Sequence, residues 1–432
     1  MAKKKHFNRT YSPKKLSTIL TFVGTGILCG IVIGSFKTLI KFYSSLMLDL
    51  FARAKGNISY SILIIALFFI IGSFIYYLSK KDPNINGSGI PVIYAMLNDK
   101  LKVDSFRTLI RKFIASILTI GSGLTLGREG PSVQIGGLLG DIAHKMTKSE
   151  EDKSYFIGAS AGAGLAVAFN APMAGVLFTI EEIFKKTDRK VFLSTAITIF
   201  SAVITSDLIF GNLPALVNVP KFQVMHLKMI IHLVILGIIT GLSGVFFNKI
   251  VIGSKGFFGK ININPFVKYM IPFIVTGLVL MVDINLFSSG ESYIFFPIKE
   301  NPNLGRLIFL YFAKILLLAL AFGVSIPGGS LVPLLVIGSL VGNIFASFLA
   351  NIGLIDPQLI LVFSMMAMCG HFSAIVRTPI TAIILVLEMT GGAFNYLLGL
   401  SVVSLVSYST AEIFKSKPFY DHLYEILIKK IN

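Results

Sequence analysis

Apolar residues in this chain run in long blocks rather than alternating or keeping to one helical stripe. Blocks at 17–35, 58–79, 190–210, 229–247, 306–325, 358–370 joined to 374–390, and 393–413 are separated by short polar breaks. Roughly 20 apolar residues in a helix cross the hydrocarbon core of a bilayer. The pattern predicts an all-α polytopic membrane protein, and one removable leader cannot account for so many blocks.

Other apolar runs are interrupted. "NGSGIPVIYAM", "LGREGPSVQIGG" and "IPGGSLVPLLVIG" each place glycine and then proline at the head of a helical run, where helices begin. Irregular backbone at membrane depth persists only where it is buried in protein or lines a watery cavity. These segments are therefore expected to be helices that start inside the membrane. A fourth start is expected at "KSKPFYDHL", where Pro418 opens a terminal helix from about 418.

A helix N-terminus carries unpaired N–H groups and a partial positive charge, so it can hold an anion without a buried cation. One terminus contributes about 0.3–1 kcal/mol, and up to ~2 kcal/mol when partly buried. A charge at bilayer depth costs at least about 2.5–3.5 kcal/mol. One broken helix is too weak and several converging ones suffice, whereas fixed full positive charges would bind too tightly for passage.

The two halves echo each other. "PSVQIGGLLGDIA" from Pro131 aligns with "PLLVIGSLVGNIF" from Pro333, matching Gly136 with Gly338, Gly140 with Gly342 and Asp141 with Asn343. "APMAGVLFTIEE" from Ala171 aligns with "TPITAIILVLEM" from Thr378, matching Pro172 with Pro379 and Glu181 with Glu388. Two echoes in the same order at similar offsets point to an internal duplication of about 200 residues. Repeats of this kind build secondary transporters, with the site where they meet. The expected division is a basic arm at 1–15 and a single transmembrane domain at 16–432, with a first repeat at about 30–210 and a second at about 229–415.

Composition agrees with a membrane setting: 54% of the 432 residues are hydrophobic and 14% charged, and mean hydropathy is +0.80. The net charge of +18 lies mainly in short breaks such as "SKKD" and "FKKTDRK" and at both ends. Loop basicity of this kind marks the cytoplasmic face and anionic lipid, so both termini are expected in the cytoplasm, with an even number of crossings. No basic–aromatic stripe points to nucleic acid. Cys29 and Cys369 read as small core residues, and the six histidines lack metal-ligand spacing. No metal or other cofactor is expected.

Four carboxylates and one lysine stand out against this apolar background. Glu129, at the head of the Pro131 helix, is placed to occupy the donors that hold a mobile anion, and protonation would end that competition. Its neighbour Arg128 is not expected to pair with it, because adjacent helical residues do not face each other. Glu181 and Glu182 point about 100° apart on a helix, so one is expected to face the interior as a proton entry residue and the other a helix end. Glu388, the mate of Glu181, reads as a polar helix end. Lys112 is expected to snorkel to the surface.

In order along the chain, "GSGIP" (87–91), "GREGP" (127–131), "AGLAVAFNAPMAGVLFTIEE" (163–182), "PGGSLVP" (327–333) and "KPFY" (417–420) resemble the signature segments of the CLC chloride channels and transporters. The resemblance implies a CLC-type fold of two inverted-topology repeats of tilted and re-entrant helices. It also implies a multi-pass homodimer in the cell membrane, with one chloride and proton pathway per subunit.

By the same resemblance, Ser88 supplies a hydroxyl and Tyr420 a phenol to a central chloride. Glu129 is the gating glutamate, and Gly87, Gly89, Gly127, Arg128, Gly130 and Pro131 shape the helix starts. Backbone N–H groups of Ser330 and Leu331 face the anion, and Glu182 delivers protons from the cytoplasm. The carboxylate at 182 favours chloride/proton antiport over a passive voltage- or pH-gated chloride channel, and Ser88 matches the chloride-selective version of its segment. Leu331 stands where relatives carry phenylalanine, and Tyr94 where related transporters often carry glutamate, which leaves Lys112 differently paired. No nucleotide-binding regulatory domain is expected after the membrane part.

The alternatives are weaker on the residues. Fluoride export is disfavoured by "GREGP" and "GSGIP". An intramembrane enzyme built on Ser160, Glu181 and Glu182 has no histidine beside its nucleophile.

Overall fold

The computed structural model describes residues 13–149, 151–211, 227–299 and 302–431. The basic arm at 1–15 lies outside them as far as residue 12. The first half runs α1 (Pro13–Ala54), α2 (Ile58–Lys81), α3 (Ile90–Leu97), α4 (Ser105–Gly121), α5 (Glu129–Thr147), α6 (Lys153–Phe169), α7 (Pro172–Phe178) and α8 (Arg189–Phe210). The second half runs α9 (Leu227–Lys260), α10 (Pro265–Val282), α11 (Phe296–Lys299), α12 (Leu304–Gly323), α13 (Leu331–Asn351), α14 (Ile360–Val376), α15 (Pro379–Met389) and α16 (Leu397–Ile413). A terminal helix, α17 (Phe419–Ile431), follows.

The halves match element for element. Thus α4 ends at Gly121 and α12 at Gly323, α5 begins at Glu129 and α13 at Leu331, and α7 begins at Pro172 and α15 at Pro379. Nine helices among the described residues are long and apolar enough to cross a membrane. Two of them, α10 and α13, were not among the apolar blocks. The block expected to run from 358 to 390 is broken: Arg377 takes a left-handed φ of 73°, and Pro379 starts a new helix. Asn170, with φ 56° before Pro172, makes the equivalent break in the first half.

Glycine decides which helices pack closest. In lipid, helices gain little from hiding apolar surface from one another, so small residues that let backbones touch direct the packing. A Cβ on Gly136 would stand 2.0 Å from the Ser160 carbonyl oxygen, and one on Gly140 2.2 Å from that of Phe156. In the second half, Gly342 sits likewise 2.5 Å from the Phe363 carbonyl oxygen. The glycines shared by the two sequence echoes are therefore the contact points of the paired units α5–α6 and α13–α14. Gly26 and Gly30 of α1 press on the backbone of α8 in the same way.

Gly136→Ala is expected to lower the unfolding temperature of the detergent-solubilised protein, because the clash is with backbone that cannot rotate away; overpacking of this kind costs about 1–3 kcal/mol. Gly253→Ala, where nothing among the described residues lies within 4 Å of the added Cβ, is expected to leave it unchanged or raise it. Equal effects of the two substitutions in a thermal melt would refute the close-packing argument.

Candidate functional site

The broken helix starts meet at one place. Gly127 and Gly329 form an isolated antiparallel bridge, each N–H donating to the other's carbonyl at 2.7 Å. The Gly87 loop joins them: Gly87 N–H donates to Ser325 O at 3.0 Å, and Gly328 N–H donates to Gly87 O at 3.1 Å. Gly130 fills the centre, where an added Cβ would lie 2.8 Å from Ser88 O and 3.0 Å from Gly329 Cα. Gly89 has a left-handed φ of 89°, and a Cβ there would meet Gln134 of α5. A side chain at either glycine would push the starts of α3, α5 and α13 apart.

Hydrogen bonding inside these helices begins late. Ser132 N–H donates to Arg128 O at 3.0 Å and Leu334 N–H to Ser330 O at 2.9 Å, while Pro131 and Pro333 have no N–H. The N–H groups at 129–130 and 331–332 therefore lie outside the helical ladders of α5 and α13. Glu129 is fully buried, and its carboxylate lies among these groups, facing the N–H of Val332 with Oε2 against Gly127. The amide at the carboxylate is thus one residue beyond Ser330 and Leu331. Two such termini supply together about 4 kcal/mol at most, which exceeds the ~2.5–3.5 kcal/mol cost of one intramembrane charge.

The hydroxyls around the carboxylate lack partners. Ser88 Oγ, Ser330 Oγ, the Tyr420 hydroxyl and both carboxylate oxygens of Glu129 are buried and make no hydrogen bond of ordinary geometry among the described residues. Buried polar groups are nearly always satisfied, so a cluster of orphans marks a place for a polar or charged guest. Tyr420 lies beside Ser330 at the head of α17. Phe419, packed on Phe247 and Phe322, anchors that helix start.

The other charged residues occupy positions that local sequence did not reveal. Arg128 does reach Glu129, with Nε 3.5 Å from Oε1, and it also lies 3.5 Å from Glu291. It precedes the first helical residue, so the rule for neighbours within a helix does not govern it. Lys112 does not snorkel: it is fully buried, and its Nζ donates to Ile85 O at 2.8 Å and Gly87 O at 2.7 Å. Lys314 does the same in the second half, donating to Leu286 O and Ser288 O at 2.9 and 2.7 Å. Both lysines hold the loop preceding their repeat's broken helix. The signal for Lys314 was present in the sequence, since it stands at the same distance from Pro333 as Lys112 does from Pro131.

At the far end of α7 the helix widens into a π-turn over Thr179–Phe184, which turns Glu181 and Glu182 to different partners. Glu182 is buried, and Tyr94 donates to its Oε1 at 2.5 Å. Tyr94 is therefore a partner of Glu182 and not of Lys112. Glu181 accepts from the N–H and hydroxyl of Thr381, at 2.8 and 2.6 Å, at the start of α15. Glu388 reciprocates by accepting from Met173 and Ala174 N–H at the start of α7, at 2.9 and 2.8 Å. Each repeat thus caps the broken helix of the other with an acidic side chain, as a helix N-terminus favours. An open cavity of about 450 Å³, lined by Glu181, Glu182, Lys185, Arg377 and Asp421 among others, leads to this region.

Helix starts that converge on buried orphan polar groups, with a carboxylate among them and a second carboxylate lining an open cavity, define an ion-translocating multi-pass membrane protein. The voltage gated chloride channel family model matches residues 66–412, and the chain belongs to that family. It is 31% identical over 430 residues to the H(+)/Cl(-) exchange transporter ClcA of Vibrio vulnificus (strain YJ016), covering 96% of this chain and 90% of that relative. It is 30% identical over 438 residues to the ClcA of Vibrio parahaemolyticus serotype O3:K6, covering 98% and 92%. Among solved structures it superposes on a slow cyanobacterial Cl-/H+ antiporter with a TM-score of 0.88 and 26% identity, covering 96% of this chain and 98% of that one. A CLC-type fluoride/proton antiporter shares the fold, with a TM-score of 0.80 at 21% identity over 95% and 98% of the two chains.

Proposed function

We propose that the protein exchanges chloride for protons across the membrane. The observation that carries this reading is the Glu129 carboxylate lying among the N–H groups at the starts of α5 and α13, the donors a chloride would use. Carboxylate and chloride then compete for one set of donors. A proton taken up by Glu129 removes its charge and releases the donors to the anion, so each proton bound favours chloride entry. Ser88 and Tyr420 offer their unpartnered hydroxyls as donors to the same ion, beside the Ser330 and Leu331 amides, and Glu182 carries protons to and from the open cavity.

The named relatives are H(+)/Cl(-) exchangers, and one similar structure is a Cl-/H+ antiporter, which supports coupled exchange over passive conduction. In our reading no cofactor takes part, and chloride is a substrate. The functional unit is a homodimer with one pathway per subunit, both termini facing the cytoplasm and the domain division as read from the sequence.

Simultaneous recording of chloride flux and external pH in liposomes tests the reading. A chloride gradient imposed at zero proton gradient is expected to drive protons uphill. Chloride flux without proton movement would identify a passive channel instead, and preferential coupling of fluoride would identify a fluoride exporter.

A further inference from the structure

We infer that Tyr94 is a positioning residue for proton transfer at Glu182, fixing the carboxylate that lines the open cavity and joining it to the helix that carries Tyr420. This inference rests on the proposed role of Glu182 as the proton relay.

Position 94 lies in the last turn of α3, the helix opened by the Gly87–Pro91 start, and Glu182 lies 88 residues further along on the π-turn. Both side chains are buried, and the 2.5 Å bond from the tyrosine hydroxyl is the hydrogen bond the carboxylate makes to another side chain among the described residues. Hydrogen bonds to ionised groups are short and directional, so this one selects a single carboxylate orientation.

The phenol does not stand alone. Its ring packs edge-on against Tyr424 of α17, with centroids 6.0 Å apart, and Lys185 Nζ lies over it at 5.4 Å. Lys185 in turn pairs with Asp421, the residue after Tyr420. Glu182, Tyr94, Lys185 and Asp421 thus form a connected set that ends at the start of α17. The charged and titratable groups around Glu182 are Tyr94 from α3, Tyr420 and Asp421 from α17, Glu181 from its own turn, Lys185 directly after that turn, and Lys186 and Arg377 lining the same cavity.

The chemistry is a single proton transfer. Arriving from the cavity, a proton adds to the oxygen of Glu182 that Tyr94 does not occupy, while the phenol keeps its own proton and holds the other oxygen. Without the hydroxyl the carboxylate is free to rotate and its ionised form loses a donor.

The test is Tyr94→Phe in liposomes with proton and chloride flux recorded together, alone and in a Glu182→Gln background. Proton flux is expected to fall about tenfold, the scale of one hydrogen bond to a charged group, with chloride flux changed less than about twofold. The pH profile of proton flux is expected to move to higher pH. In the Glu182→Gln background, Tyr94→Phe is expected to change nothing further. Unchanged proton flux and pH profile in Tyr94→Phe would overturn the inference. So would a proportional fall in both fluxes, or a further chloride effect in the Glu182→Gln background, because each points to a packing role. Normal proton movement in Glu182→Gln alone would instead overturn the relay on which the inference rests.

Discussion

Glu129→Ala is expected to abolish proton movement while chloride continues to pass, with the chloride flux now indifferent to a pH gradient. The carboxylate lies among the α5 and α13 termini, so in the proposed exchange its loss removes both the competitor for the donors and the site that takes up the proton. The donors themselves remain, because they belong to backbone that an alanine leaves in place. Fluorescent pH recording beside chloride efflux reads both quantities. Loss of at least about a hundredfold in proton flux is expected, since the proposed exchange takes up its proton at this carboxylate, and a hundredfold corresponds to ~2.7 kcal/mol. Retained, tightly coupled proton pumping would sink the assignment of this residue.

The second large effect is expected at the other end of the path. Glu182→Gln keeps the shape of the side chain and its ability to accept from Tyr94, but it cannot carry a proton. Proton flux should fall to background while chloride flux persists. Chloride flux should also keep its sensitivity to external pH, because Glu129 still titrates. That residual sensitivity separates the two variants: both lose coupling, but only the variant at 129 loses the response to pH. Should protons keep moving at the parent ratio, the relay must run through another group lining the cavity.

The two carboxylates were legible in the sequence for different reasons. Glu129 stood out because a charge beside glycine and proline at the head of an apolar run is costly unless backbone donors receive it. Glu182 was visible as one of a pair, and which of the two turned inward was read from family resemblance. The π-turn settles the local geometry by widening the helix, so that Glu181 reaches the start of α15 and Glu182 reaches Tyr94. A regular helix drawn from the sequence carries no such turn. Lys112 departs from snorkelling, the common solution for a lysine near a membrane surface, because the carbonyls at 85 and 87 supply the solvation that water would otherwise give.

By itself, then, the amino-acid order determined which stretches are apolar enough to lie in lipid, where proline and glycine interrupt them, and which polar groups are too costly there to be incidental. These are properties of single residues and their near neighbours. Only the tertiary structure decided the Gly127–Gly329 bridge, the reciprocal capping by Glu181 and Glu388, and the bond between Tyr94 and Glu182. The partners in these contacts stand 88 to 215 residues apart, and their meeting is set by how the two repeats cross and how closely their glycines let backbones approach.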